Sequence, residues 1–335
     1  MRDITSQKME ARAEATEELG RHLASGKGDL DEATHERGVQ ALVVSLSDVH
    51  PAVRSRAATA LADAGATSAL PSLLVAVEDD DAFVRQMALS ALGELGDARA
   101  TSKLTRALAD SRPEVRYQAL IAFVRVCPED SGKAISKALD DADCAVRHIA
   151  LRLAEDAVEQ GNAQASVASW SREAQRLVAD EHADVAVAAA IFLTKCTPAG
   201  DLPKAAKALL LAVARGDKRG EVGTEEEQGA LEACGEAKLV EAIPALERRA
   251  YGLARLVRDT SVLHAKCALA ALGHARAQEE LLADLASEKP ERRDKAIVAV
   301  GRARLAAARS LLLRLAKEEG TRDLANEALS RLLAE

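Results

Sequence analysis

Aromatic side chains are scarce in this chain: three Phe, two Tyr and a single Trp, Trp170, amount to 2% of 335 residues. So few rings leave little to hold an exposed nucleobase or line a tetrapyrrole pocket. Cysteine is also sparse. Cys127, Cys144, Cys196, Cys234 and Cys267 form no CxxC pair, and their number is odd. That argues against a disulfide framework and a metal cage, and for buried structural thiols in a reducing cytoplasm. No window approaches the roughly 20 apolar residues that a bilayer span needs. The opening "MRDITSQKMEARAEATEELG" has no apolar core of signal-peptide length. A cytoplasmic protein without membrane insertion is therefore expected. No P-loop, GxSxG, HExxH or dinucleotide fingerprint occurs. A net charge of −8 argues against nucleic acid as the partner of the whole surface. Residues 291–335 carry ten Lys/Arg against seven Asp/Glu, spaced as on a solvated helix face.

Helix formers fill the space. The chain is 48% hydrophobic and 29% charged, so it can bury a core, and Ala, Leu, Glu, Arg and Lys favour helix. An all-α fold is expected. A 31-residue step then organises the sequence. It runs through Asp48, Asp79, Asp110 and Asp141, and through Arg54, Arg85, Arg116 and Arg147. Val53, Val84, Val115 and Val146 keep the same phase, as do Ala57, Ala88, Ala119 and Ala150. Upstream, Leu42, Leu73, Leu104 and Ile135 align, and so do Leu46, Val77, Leu108 and Leu139.

Each repeat reads as two helices. Within the second repeat, Leu70, Leu73, Leu74 and Val77 make one amphipathic stripe over 67–78. Phe83, Val84, Met87, Ala88, Ala91 and Leu92 make another after the turn "EDDD". Gly65, Gly93 and Gly96 are placed at helix ends, and Pro51 and Pro113 near first turns. His50 reads as a polar helix cap. One helix pair cannot bury both its faces, so the pairs must stack.

The Asp-x4-Val-Arg spacing across turn and second helix resembles the HEAT repeat, especially its short bacterial form. Pro71, eight residues before Asp79, matches the proline favoured in the first helix of that family. The resemblance implies an α-solenoid of stacked antiparallel helix pairs, a HEAT-like superhelix of about eight to nine pairs. The whole chain, 1–335, is expected to be one solenoid: a cap over 1–39 with its first helix at about 3–24, regular repeats over 40–158, and degenerate repeats over 159–335. "DVAVAAAIFL", "VLHAKCALAALG", "ERRDKAIVAVG" and "TRDLANEAL" echo the pattern there without the full Asp/Arg pair.

A pair repeated every 31 residues spreads charge along a stack instead of converging on one pocket, so the Asp and Arg columns are read as structural. The carboxylate is expected to accept N–H bonds at the start of the second helix. The arginine fork is expected to bridge to the aspartate of its own or the adjacent repeat.

The resemblance also implies that second helices line the concave face. There Tyr117, Ile121, Arg125, His148 and Arg152 bring an aromatic ring, an aliphatic side chain and cations onto a surface expected to face solvent, a composition suited to a protein partner. Lys218, Arg219, Glu225, Glu226 and Glu227 mark a candidate docking loop near 215–228. No catalytic or metal-ligating residue is assigned and no cofactor is expected. Among HEAT-like enzymes, the deoxyhypusine hydroxylases carry several His-Glu pairs; this chain has one, His35-Glu36, which leaves a di-iron site without its ligands. The bilin lyase HEAT-like family is similar in repeat style. The expected function is a non-catalytic scaffold or adaptor, holding a partner protein by shape and charge. The alternatives are a HEAT-like lyase or chaperone acting on a protein-bound cofactor, and a nucleic-acid-binding HEAT-like protein.

Overall fold

The computed structural model describes residues 2–25, 31–163, 165–198, 200–218, 220–252 and 261–333. All regular structure among them is helical. The chain divides into two compact units, Met1–Ser166 and Val167–Glu335.

In the first unit a lone helix, α1 (Met9–Ser25), precedes four pairs: α2 (Glu32–Ser45) with α3 (Pro51–Asp63), α4 (Leu70–Ala76) with α5 (Ala82–Leu95), α6 (Thr101–Ala107) with α7 (Pro113–Val126), and α8 (Ser131–Ala138) with α9 (Cys144–Glu159). The second unit has five: α10 (Val167–Leu177) with α11 (Ala183–Cys196), α12 (Lys204–Arg215) with α13 (Thr224–Glu236), α14 (Ile243–Tyr251) with α15 (Val262–Ala271), α16 (Ala275–Leu285) with α17 (Pro290–Arg302), and α18 (Arg309–Leu315) with α19 (Arg322–Leu333). Nine pairs among the described residues agree with the count expected from the repeat.

Within each unit, successive second helices pack on one another and the first helices pack against them. The aligned columns explain why. Leu42, Leu73, Leu104 and Ile135, and the alanines at 57, 88, 119 and 150, are fully buried. Each leucine or isoleucine removed from water contributes about 1.5–3 kcal/mol, while the alanines let backbones approach.

Several local expectations need correction. The helix expected over 67–78 begins as a 3-10 turn, Thr67–Ala69, and α4 runs only through Leu70–Ala76. The cap begins likewise, with a 3-10 turn at Arg2–Thr5 before α1. Gly65 and Gly96 do follow helix ends, at φ +60° and +66°, conformations that glycine adopts without strain. Gly93 does not end a helix. It lies inside α5, where a Cβ would stand 2.9 Å from the Ala122 Cα on α7. Only Cys234 and Cys267 are buried, and the other three thiols are half-buried.

Candidate functional site

The Asp/Arg ladder runs between repeats. Arg54 sends Nε and Nη2 to both oxygens of Asp79, each at 2.7 Å. Arg85 does the same to Asp110 at 2.9 and 3.0 Å, and Arg116 to Asp141 at 2.8 and 2.6 Å. The Nη1 of each arginine turns back to its own repeat, as Arg54 does to the carbonyls of Asp48 and Val49 at 2.9 and 3.3 Å. Arg147 donates to Asp141 O and Ala142 O in the same way. One guanidinium therefore ties its own turn to the next repeat.

Contrary to the expectation that it caps the second helix, the aspartate does not bond the first-turn N–H groups. It accepts the N–H two residues on: His50 to Asp48, Asp81 to Asp79, Arg112 to Asp110, Asp143 to Asp141. Three of those +2 residues meet free helix donors instead, while Arg112, ahead of α7, makes no side-chain cap bond. Asp81 accepts from Phe83 and Val84, Asp143 from Ala145 and Val146, and the His50 Nδ1 from Ala52. Asp48 is held below the usual carboxylate range by the Arg12 fork, which outweighs burial. At Asp79, Asp110 and Asp141 burial pushes up, but the arginine and the turn N–H together push further down.

Arg12 is a rung that periodicity missed. It grips Asp48 at 2.6 and 2.9 Å from 36 residues upstream, where the other arginines stand 25 before their aspartates. The extra residues between α1 and α2 hide it from a 31-residue step. Further rungs persist in altered chemistry. Arg293 stands 3.7 Å from Glu318, again 25 residues on. Ser6 and Ser287 take the aspartate's place, accepting from the N–H of Lys8 and Lys289. Where α11 has Ala186 in the arginine position, Asp184 accepts the Gly223 N–H at 2.7 Å.

Where a second helix is closed by a left-handed residue, that residue reveals the register. Arg54 and Arg85 stand eleven residues before Gly65 and Gly96, Arg293 before Arg304, and Glu227 before Lys238. Glu227 is thus a rung of opposite sign. It pairs with the buried Arg249 at 2.7 Å, whose Nε and Nη2 also donate to Ala214 O and Val213 O at the end of α12. Glu225, Glu226 and Glu227 are accordingly the first turn of α13, and the expected loop over 215–228 narrows to 216–223. Lys218 pairs with Glu221 at 2.8 Å, and Arg219 lies outside the described residues.

The expected partner surface is brought together on α7 and α9, which pack side by side. Tyr117 and Ile121 lie one turn apart on α7, His148 and Arg152 one turn apart on α9, and all four are half-buried. Arg125 is exposed. Arg152 is held by Glu155 at 2.9 Å. The row is less exposed than expected because each second helix is flanked by its neighbours.

A charged group in the second unit had no sequence signal, since its members come from three helices. Glu232 on α13 accepts from Arg302 on α17 at 2.9 Å, and His264 on α15 lies 2.6 Å from the same oxygen. Burial pushes the Glu232 carboxyl up, but His264 and Arg302 more than compensate and hold it ionised. Cys267, one turn beyond His264, is raised by burial and stays a thiol. Among the described residues, no three His, Cys, Asp or Glu stand close enough to hold a metal ion, and no helix is long and apolar enough to cross a membrane.

Residues 39–124 match the family model for HEAT repeats, and the remaining described residues continue as stacked helix pairs. No curated protein sequence matches it. Among solved structures, a homology model of the full-length AP-3 complex in an intermediate open conformation aligns with TM-score 0.52 at 15% identity, over 97% of this chain and 55% of that one. A crystal structure of an engineered protein aligns with TM-score 0.40 at 19% identity, over 99% of this chain and 98% of that one. The complex of CpcE and CpcF of phycocyanin lyase from Nostoc sp. PCC7120 aligns with TM-score 0.41 at 20% identity, over 73% and 90%. Of these, the AP-3 alignment alone exceeds a TM-score of 0.5, and at 15% identity it speaks to the fold alone.

Proposed function

We propose that this chain is a non-catalytic scaffold that holds a partner protein on the surface shared by α7 and α9, through Tyr117, Ile121, Arg125, His148 and Arg152. HEAT repeats are a protein-interaction fold, and the carrying observation is the composition of this one row. An aromatic ring and a β-branched side chain stand partly open between cations, on helices fixed by the ladder beneath. A rigid array needs little reordering to bind, so contact area converts more fully into affinity. Tyr and Arg supply large contact at few rotamers. The five free thiols fit a reducing cytoplasm.

Hydrogen exchange of the chain with and without its purified partner tests this reading. Protection gained over 113–126 and 144–159 is the expected result. Protection confined to helices elsewhere contradicts it.

A further inference from the structure

The solvent face between α2 and α4 lacks the ion pairs that close the junction after it, between α4 and α6. In the next junction, Lys103 and Arg106 of α6 reach back to Glu78 at 2.6 and 2.7 Å and close the space between first helices. Thirty-one residues earlier the three positions are Ser47, Ser72 and Val75. No ion pair can form there, and a cleft of about 530 Å³ stays open. Its floor is the buried Leu46 and Ala76, and its walls include Val43 and Val75. Val75 is 73% exposed, and Val44, its counterpart on α2, is 66% exposed. The next positions in that column are Arg106 and Lys137, so the apolar strip is confined to the first two pairs. Isolated exposed valines are ordinary; these two are matched in register and stand beside an open cleft.

The rim, which also holds Arg54, leaves one carboxylate without a cation, and that carboxylate is the guide to the occupant. Glu78, Asp79 and Asp80 stand along one edge. Asp79 is engaged by Arg54, and Glu78 by α6, but the exposed Asp80 carboxylate makes no hydrogen bond or ion pair among the described residues. We propose that this cleft binds a cationic, aliphatic peptide segment of a partner protein, with a Leu- or Val-sized side chain between Val43 and Val75 and a flanking Lys or Arg at Asp80. This surface is separate from the α7–α9 row and does not depend on it.

The test is fluorescence anisotropy of the full chain with a fluorescein-labelled ten-residue peptide of alternating Arg and Leu. The triple variant Ser47→Glu/Ser72→Lys/Val75→Arg rebuilds the closing ion pairs of the next junction. It is expected to melt as the parent does and to bind at least tenfold more weakly. Asp80→Lys is expected to weaken binding similarly. Glu319→Lys, which changes charge equally in the other unit, and Tyr117→Ala/Arg152→Ala are expected to leave binding unchanged. Peptides with Glu for Arg, or Ser for Leu, should not bind. Any of four results overturns the proposal: no binding by the parent chain, full binding by the triple variant, equal loss in Glu319→Lys, or a parent dimer in sedimentation that the triple variant abolishes.

Discussion

Asp79 illustrates how much one side chain of this ladder is asked to do. Its carboxylate holds the Asp81 N–H within the turn and receives both arms of Arg54 from the preceding repeat. The two side chains are only 11% and 16% exposed, so solvent does little to screen them. The same arrangement at Asp141 makes Arg116→Ala a sharp test. That change removes the fork and the donors to Asp110 O and Ser111 O, leaving a half-buried carboxylate without its cation. A loss of about 2–3 kcal/mol in urea unfolding is expected, with partner affinity retained wherever the fold persists. Arg116→Lys keeps the charge but loses the fork, and should fall between. The ladder aspartates also give stability a pH dependence of definite sign. Their folded-state pKa values lie below the ordinary value of about 3.9. Their contribution is therefore complete above that value and is lost as pH falls through the lower folded values. Urea midpoints should show no ladder contribution to pH dependence above about pH 5 and should drop steeply below about pH 4.

At the scale of elements, two glycines three residues apart do different work. Gly96 supplies a left-handed conformation with open space around its missing Cβ. Gly93 is helical and lets α5 approach α7, as Gly20 does against Ala60, Gly235 against Ala268 and Gly301 against Ala328. Gly96→Ala should cost about 1 kcal/mol from backbone strain alone. Gly93→Ala should cost about 1–3 kcal/mol from overpacking. Ala122→Gly should partly rescue the second and leave the first unrelieved, as thermal melts of the double variants would show. The helices, their caps at His50 and Pro51, and the buried columns were legible because periodicity reports one face at a time. What periodicity could not show is contact across repeats: the partner chosen by each arginine, the inverted Glu227–Arg249 rung, and the meeting of Glu232, His264 and Arg302. Arg12 is hidden by its irregular spacing, and the helix start at Glu225 to Glu227 is masked in the sequence by three nearby glycines.

At the scale of the molecule, each of the two units gains stability by adding interfaces between neighbouring helix pairs rather than by enclosing one core. The first unit holds four complete rungs, Arg12–Asp48 to Arg116–Asp141, and its own buried leucines. Residues 1–166 expressed alone should therefore keep a helical circular-dichroism spectrum and a cooperative melt; a spectrum of unfolded chain would show that the rungs do not suffice. The proposed function places partner binding on the α7–α9 row that this framework leaves open. The most direct measurement is affinity purification from the native host with parent chain and with Tyr117→Ala/Arg152→Ala, read by mass spectrometry alongside both melting temperatures. The account predicts a partner captured by the parent and lost from a variant that melts at the same temperature. Retention of every partner by the variant would contradict it.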